Sequence, residues 1–262
     1  MSLASARARV LAVAFAVSAT ALHAQDKPAT APQPATPQPS APLPAQPATP
    51  RTDFDKKLDD LDAKVAAIAD LTADFEQEKR TPLLKKPLTS SGTVKVKGTQ
   101  TRWDTQKPRP IVMTIDATEL KLYYPEQKTL EVYPVAGGMA ELAASPLPRS
   151  KVVREHFTVT EEPATVIDRG AKDGELGLKL LPLKETLKDH VSQVRVLIDG
   201  STGIARLVEI TDADGEVTVM RFTNVKTGTG LKDEQLQLHV PAGTTVSRPL
   251  HGEAPKAAEE KK

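Results

Sequence analysis

The chain has 262 residues, with 35 basic and 34 acidic side chains, a net charge of +1 and no cysteine. So even a charge balance argues against a nucleic-acid partner, whose phosphates call for a basic face. Without cysteine, disulfides contribute nothing, stability must come from a packed core, and no thiol is present to carry the acyl chains of a lipid anchor.

The first element is an apolar run of 13 residues, 10–22, preceded by Arg7 and Arg9 and closed by the small residues Ala19, Ala21 and Ala24. A basic start, a short apolar middle and a small-residue end describe a secretory signal peptide. The run is too short for a spanning helix, which needs about 20 residues. The expectation is export, with residues 1–24 removed by cleavage near Ala24, Ala21 being the other candidate. Loss of Arg7 and Arg9 leaves a net charge of about −1. Residues 25–51 are rich in Pro, Ala, Gln and Thr and read as a disordered, partly polyproline linker, because they cannot bury enough apolar surface to offset ordering. Residues 52–250 then fit one domain, and 251–262 a charged flexible tail.

Within the domain, residues 53–79 read as one long helix. Phe54, Leu58, Leu61, Val65, Ile68 and Phe75 recur at steps of three and four, Thr72 filling the remaining slot, which makes a single apolar stripe. Thr52 or Asp53 can cap its start, alanines raise its propensity, and Pro82 limits its end. From Ser91 to Pro134 apolar residues alternate with polar ones, as in Val94-Lys-Val96, Ile111-Val-Met113-Thr-Ile115 and Leu120-Lys-Leu122-Tyr-Tyr124. This predicts four or five short strands buried on one face. Residues 136–145, with Gly137 and Gly138, break the rhythm and read as a short movable helix. A second meander follows, with strands expected at 156–160, 176–181, 193–198, 205–211, 217–225 and 236–240. Turns at Asp199-Gly-Ser-Thr-Gly203 and Asp212-Ala-Asp-Gly215 join some of them. The total is about ten or eleven strands, mostly antiparallel because the connections are too short for parallel crossovers.

Catalytic signals are missing. The five histidines, at 23, 156, 190, 239 and 251, show no metal-ligand spacing. No Gly-rich phosphate loop or nucleophile elbow occurs. Asp212-Ala-Asp-Gly215 lacks the rest of a calcium loop and reads as a hairpin turn. No catalytic residue, metal or cofactor is therefore assigned.

The order of these features resembles a known family. A helical segment ends in Ala-Asp-Phe75-Glu-Gln77, Gly92 opens a strand, and Arg102-Trp103, Pro108 or Pro110 and Leu122-Tyr-Tyr-Pro125 follow. Leu181-Pro182, Val196-Leu-Ile198-Asp with Gly203-Ile204, the Asp-Gly215 hairpin, Phe222 and Leu238-His-Val-Pro241-Ala-Gly243 complete the series. This is similar to the periplasmic outer-membrane lipoprotein carrier (LolA-like) family over residues 55–247. The resemblance implies an incomplete, strongly curved antiparallel β-barrel covered by helices, with lipoprotein acyl chains held between barrel and lid. It also implies a periplasmic location, loading by an inner-membrane ATP-driven release complex and delivery to an outer-membrane receptor. One departure stands out: where relatives carry an Arg-Pro pair whose arginine helps hold the lid, this chain has Lys97-Gly98-Thr99-Gln100-Thr101.

On this reading the cavity wall is the inward set around Trp103: Val94, Val96, Met113, Ile115, Leu122 and Tyr124, joined by Phe157, Leu178, Val196 and Phe222 from the second meander. The lid is Leu61, Val65, Ile68 and Phe75 on the helix, with Met139 and Leu142 from the following segment. The expected protein is a monomeric, soluble, non-enzymatic carrier of acyl chains. The alternative is an envelope regulatory module that grips a protein partner on the same half-barrel. A lipoprotein receptor would need the missing cysteine, and a lipid enzyme would need a constellation the chain lacks.

Overall fold

The computed structural model describes residues 52–135 and 145–249. The stretches expected to be the export signal, the linker and the tail, and the lid candidates Met139 and Leu142, lie outside the described residues. Helix α1 (Asp53–Ala66) is followed by strands β1 (Asp70–Arg80), β2 (Leu88–Lys97), β3 (Gln100–Lys107), β4 (Ile111–Ile115), β5 (Glu119–Tyr124) and β6 (Thr129–Pro134). The second half contains α2 (Ser150–His156), β7 (Phe157–Glu162), α3 (Ala164–Ile167), β8 (Glu175–Pro182), α4 (Glu185–Lys188), β9 (Val191–Asp199), β10 (Ala205–Asp212), β11 (Val217–Thr227) and β12 (Thr245–Ser247). All twelve strands form one open curved sheet in the order β12-β6-β5-β4-β3-β2-β1-β11-β10-β9-β8-β7. Every pairing is antiparallel except that of β12 with β6.

The helix expected over 53–79 stops at Ala66, and its last third is the strand β1. Alanine propensity is worth only tenths of a kcal/mol per residue, whereas β1 gains partners on both sides. It pairs with β2 from Asp70 to Lys79 and with β11 from Leu71 to Arg80. Leu71, Ala73 and Phe75 are all buried and alternate at the strand period of two. Phe75, expected on the helix stripe, is thus a sheet residue, and Ile68 lies in the link just after α1, half-buried.

Asp70 pins this junction. Its carboxylate accepts from the Thr229 N–H and hydroxyl (2.6 and 2.7 Å), the Gly230 N–H (2.9 Å) and the Leu231 N–H (3.1 Å). The start of β1 is thereby tied to the segment leaving β11. The hydrogen bonds, led by the Thr229 hydroxyl, hold the Asp70 carboxyl below its ordinary pKa.

Helix α1 begins at a reciprocal cap: the Asp55 N–H donates to Thr52 Oγ1 (3.1 Å) and the Thr52 N–H to Asp55 Oδ2 (3.0 Å). Leu58, Leu61 and Val65 form its buried stripe. Its polar side is fastened to the β7–β10 half of the molecule. Asp62 accepts from the Ser150 N–H and hydroxyl, both at 2.6 Å, and so caps α2, whose own preceding residue Arg149 supplies no side-chain cap. Arg154 donates to Asp55 (2.9 Å), Lys57 to Glu161 (2.9 Å) and Lys64 to the Gly200 carbonyl (2.6 Å). Gly203 sits in the β9–β10 turn at φ +77°. A Cβ there would lie 3.1 Å from both the Leu61 carbonyl oxygen and Val65 Cγ2, so glycine meets the backbone and the contact demands together.

The strand expected at 236–240 is not one. A short 3₁₀ turn (Asp233–Gln235) leads into an irregular stretch in which Leu236 is buried. Leu238 packs on Tyr123, Leu130 and Val132 on the outer face, and pairing resumes only at β12. Alternation reflects burial on one side and does not by itself supply a ladder partner.

Two outcomes follow. Asp70→Asn lowers stability at neutral pH, measured by urea unfolding. Because the folded-state pKa lies below the unfolded value of about 3.9, the carboxylate's contribution is complete above that value and is lost as pH falls through the folded one. The wild-type advantage over Asp70→Asn therefore shrinks in acid. Gly203→Val costs about 1–3 kcal/mol for the left-handed backbone alone, read as a lowered melting temperature.

Candidate functional site

The candidate site is the sheet face that packs against α1, here called the inner face. Strand register lines its residues up across the sheet. Leu122 opposes Met113, Met113 opposes Trp103, Trp103 opposes Val94, and Val94 opposes Ala73. On the other side of β1, Phe75 opposes Phe222, and farther along Met220, Val208, Val196 and Leu178 follow in turn. The result is one contiguous apolar cluster running from β5 to β8 and including Leu58, Leu61 and Val65 of α1.

All eleven residues named for the wall from the sequence lie on this face. Val94, Val96, Trp103, Met113, Ile115, Leu122, Phe157, Leu178, Val196 and Phe222 are buried members of the cluster, and Tyr124 is half-buried at its margin. The sequence reading missed Leu71 and Ala73 because it placed them on a helix. It also left out Leu120, Leu180, Val208 and Met220, whose alternation within their strands carried the signal.

At the centre is an aromatic trio. The Phe75 and Trp103 rings meet edge to face at 4.8 Å and 66°, and Trp103 and Phe222 are 5.9 Å apart. Gly92 stands opposite Phe75. A Cβ there would fall 2.0 Å from the Asp104 carbonyl oxygen, so β2 and β3 approach closely at the register shift beside it. Trp103 Nε1 is buried without a hydrogen-bond partner among the described residues. An unmade hydrogen bond of this kind costs about 1–3 kcal/mol, and here it points to a polar hydrogen held within an apolar wall.

The margin at β5–β6 is polar. The Tyr124 and Tyr133 hydroxyls both donate to Glu131 Oε2, at 3.3 and 3.0 Å. Burial, and then the adjacent carboxylate, pushes both phenols up to about 12, so they remain neutral.

The outer face is charged by contrast. Arg102 binds Asp104 (2.8 Å), and its other nitrogen donates to the Gln237 carbonyl. Arg195 lies between Glu162 (2.9 Å) and Glu209 (3.1 Å). Arg206 bridges Glu175 (2.5 Å) and Asp168 (2.8 Å). Hydrogen bonding from Arg206, foremost, lowers the Asp168 pKa. In the Lys97–Thr101 stretch, the Gly98 carbonyl accepts from Arg149 at 3.5 Å.

An open groove of about 340 Å³ lies between residues 72–74 and 224–226, where the β1–β11 register shifts. No residue of α1 lines it. Beneath α1, the side chains of Leu58, Leu61 and Val65 occupy the inner face. Among the described residues, no group of three His, Asp or Glu side chains is placed to hold a metal ion.

The arrangement is an apolar sheet face covered by the apolar stripe of α1. The chain is similar to several known proteins. An outer-membrane lipoprotein carrier protein of Dechloromonas aromatica is 24% identical over 181 residues, covering 67% of this chain and 80% of the relative. One from Methylobacillus flagellatus is 27% identical over 145 residues, covering 55% and 65%. The crystal structure of a LolA superfamily protein from Nitrosomonas europaea superposes with a TM-score of 0.39 at 12% identity, covering 70% of this chain and 96% of that one. The family model described as outer membrane lipoprotein carrier protein LolA matches residues 66–238, well over half of the chain, and the protein belongs to that family.

Proposed function

We propose that the protein is a soluble periplasmic carrier that shields the acyl chains of lipoproteins, or of related lipids, between α1 and the inner face. The family is non-enzymatic in general and its members are periplasmic, and the export signal read at residues 1–24 accords with that location. The observation that carries the reading is the unbroken apolar cluster from β5 to β8 under a helix held by polar fasteners.

Loading exchanges one hydrocarbon contact for another. Leu58, Leu61 and Val65 contribute about 2 kcal/mol each when buried, and an acyl chain about 0.8 kcal/mol per methylene. About eight buried methylenes therefore match the three side chains that α1 withdraws. An ordinary acyl chain is long enough to displace the helix from its seat. A chain taken from a bilayer leaves surroundings as apolar as the cavity, so extraction needs work from outside. We assign that work to an inner-membrane ATP-driven complex, and receipt of the cargo to an outer-membrane receptor. The unpartnered Trp103 N–H suits the carbonyl of an ester or amide at the head of the chain. The fasteners of α1 named above lie toward the β7–β10 half, and the helix lifts from the inner face as they loosen.

The test is uptake of a fluorescent long-chain fatty acid by the delipidated protein. Saturable uptake is expected. Absence of uptake together with one stable protein partner would favour a regulatory module instead. Removing the cap on α2 adds a kinetic check: Asp62→Ala costs about 1 kcal/mol of stability and raises the stopped-flow rate of uptake severalfold. An unchanged rate in a destabilised variant would show that α1 does not govern entry.

A further inference from the structure

The β1–β2 connection holds the most exposed large apolar side chain among the described residues. Its sequence is Thr81-Pro-Leu-Leu-Lys-Lys-Pro87, leading to Leu88. Leu83 is 90% exposed, Leu84 48% and Leu88 50%. The backbone places the first two at a tip. The Leu84 N–H bonds back to the Thr81 carbonyl at 3.1 Å, closing a turn with Pro82 at its second position. Turn tips normally carry Gly, Asn, Asp or Ser, so two adjacent leucines there are not explained by the turn. They add nothing to the core.

The charge around this tip is equally one-sided. The pairings Lys79–Leu88, Ser91–Lys107, Thr105–Ile111 and Tyr124–Thr129 bring the β1–β2, β3–β4 and β5–β6 connections to the same edge of the sheet. That edge carries Arg80, Lys85, Lys86, Lys107, Arg109 and Lys128 against Glu78 and Glu126, and Glu78 is already paired with Arg80 at 2.6 Å. Lys85 and Lys86 are exposed and have no ion-pair partner among the described residues. The same edge on the β8–β11 side is acidic on balance, with Glu185, Asp189, Asp212, Asp214 and Glu216 against Lys184 and Lys188. A protein whose overall charge is near zero thus concentrates positive charge around its exposed leucines.

We propose that the 81–88 connection is a docking finger for the surface of an anionic lipid bilayer. Leu83 and Leu84 enter the boundary between head groups and acyl chains, and Lys85 and Lys86 lie at the level of the lipid phosphates, their stems along the apolar layer. A bilayer fits better than a protein pocket because the patch is a projecting tip ringed by cations, with Lys85 and Lys86 unpaired among the described residues, and Glu78, the acidic group beside it, is already taken by Arg80. Leu88 belongs by register to the inner face, so the finger stands at one end of the proposed cargo face and sets that end against the membrane.

The test is flotation of the full chain with vesicles of phosphatidylethanolamine containing one third phosphatidylglycerol, and with vesicles of phosphatidylcholine alone. Binding to the anionic vesicles is expected, weakened by 0.5 M salt because surface charge is screened. L83D/L84D and K85E/K86E should each reduce it by about tenfold or more. Because the residues are exposed, both variants retain fatty-acid uptake in solution, and that readout separates loss of docking from loss of folding. The proposal is overturned if the wild type does not bind anionic vesicles, if it binds them only when a membrane protein is present, or if both variants bind as well as wild type. Uptake without vesicle binding sinks the finger and leaves the carrier; vesicle binding without uptake does the reverse.

Discussion

Everything in this fold depends on strand β1 pairing on both sides. Strands β2–β6 and β7–β11 are two meanders, each able to propagate by short connections, and β1 is the strand at which they become one sheet. Its register with β2 sets Ala73 against Val94, and its register with β11 sets Phe75 against Phe222. Those two pairings decide that both meanders turn their apolar side chains to the same face. A slip of one residue on either side would put one half of the apolar face outside. Asp70 is placed where such a slip would start, with four hydrogen bonds from the strand's first residue to the segment beyond β11.

The two faces then diverge in chemistry. Outside, charged side chains satisfy one another in short networks such as Arg206 with Glu175 and Asp168, and irregular chain covers the apolar remainder near Tyr123 and Leu130. Inside, polar groups recede to the margins, at Glu131 with its two tyrosines and at the fasteners of α1. Helix α1 is seated by an apolar stripe and tied by polar contacts at one side, and no sheet pairing runs through it. A sheet that pairs independently of its helical cover suits the proposed carrier, since cargo must enter and leave while the fold persists.

Much of this was readable in the chain. The alternation in Val94-Lys-Val96 and Ile111-Val-Met113-Thr-Ile115 states both strand and face, because a period of two has no helical equivalent over that length. Asp212-Ala-Asp-Gly215 proved a turn, with Gly215 at φ +79°. The stretch 67–80 misled because Ile68 and Phe75 continue a helical spacing by coincidence, while Leu71, Ala73 and Phe75 alternate weakly through an alanine. What decides between the two is the presence of β11, which is about 150 residues away and leaves no local mark. Leu236-Gln-Leu238-His-Val240 misled in the opposite sense: it alternates without a ladder partner. The fastening of α1 through Asp62 was illegible for the same reason, since a carboxylate on a helix does not announce that it caps another helix 88 residues later.

The central claim is that acyl chains lie against the inner face, and Trp103, the single tryptophan of the chain, stands in the middle of that face. Titration of the delipidated protein with a long-chain fatty acid brominated along its tail tests the claim directly. The account predicts saturable quenching of Trp103 emission, with no quenching by the same acid in a protein whose Trp103 is unfolded by denaturant. Binding of the acid with Trp103 emission unchanged would contradict it, because the chain would then lie somewhere other than the face on which this account depends.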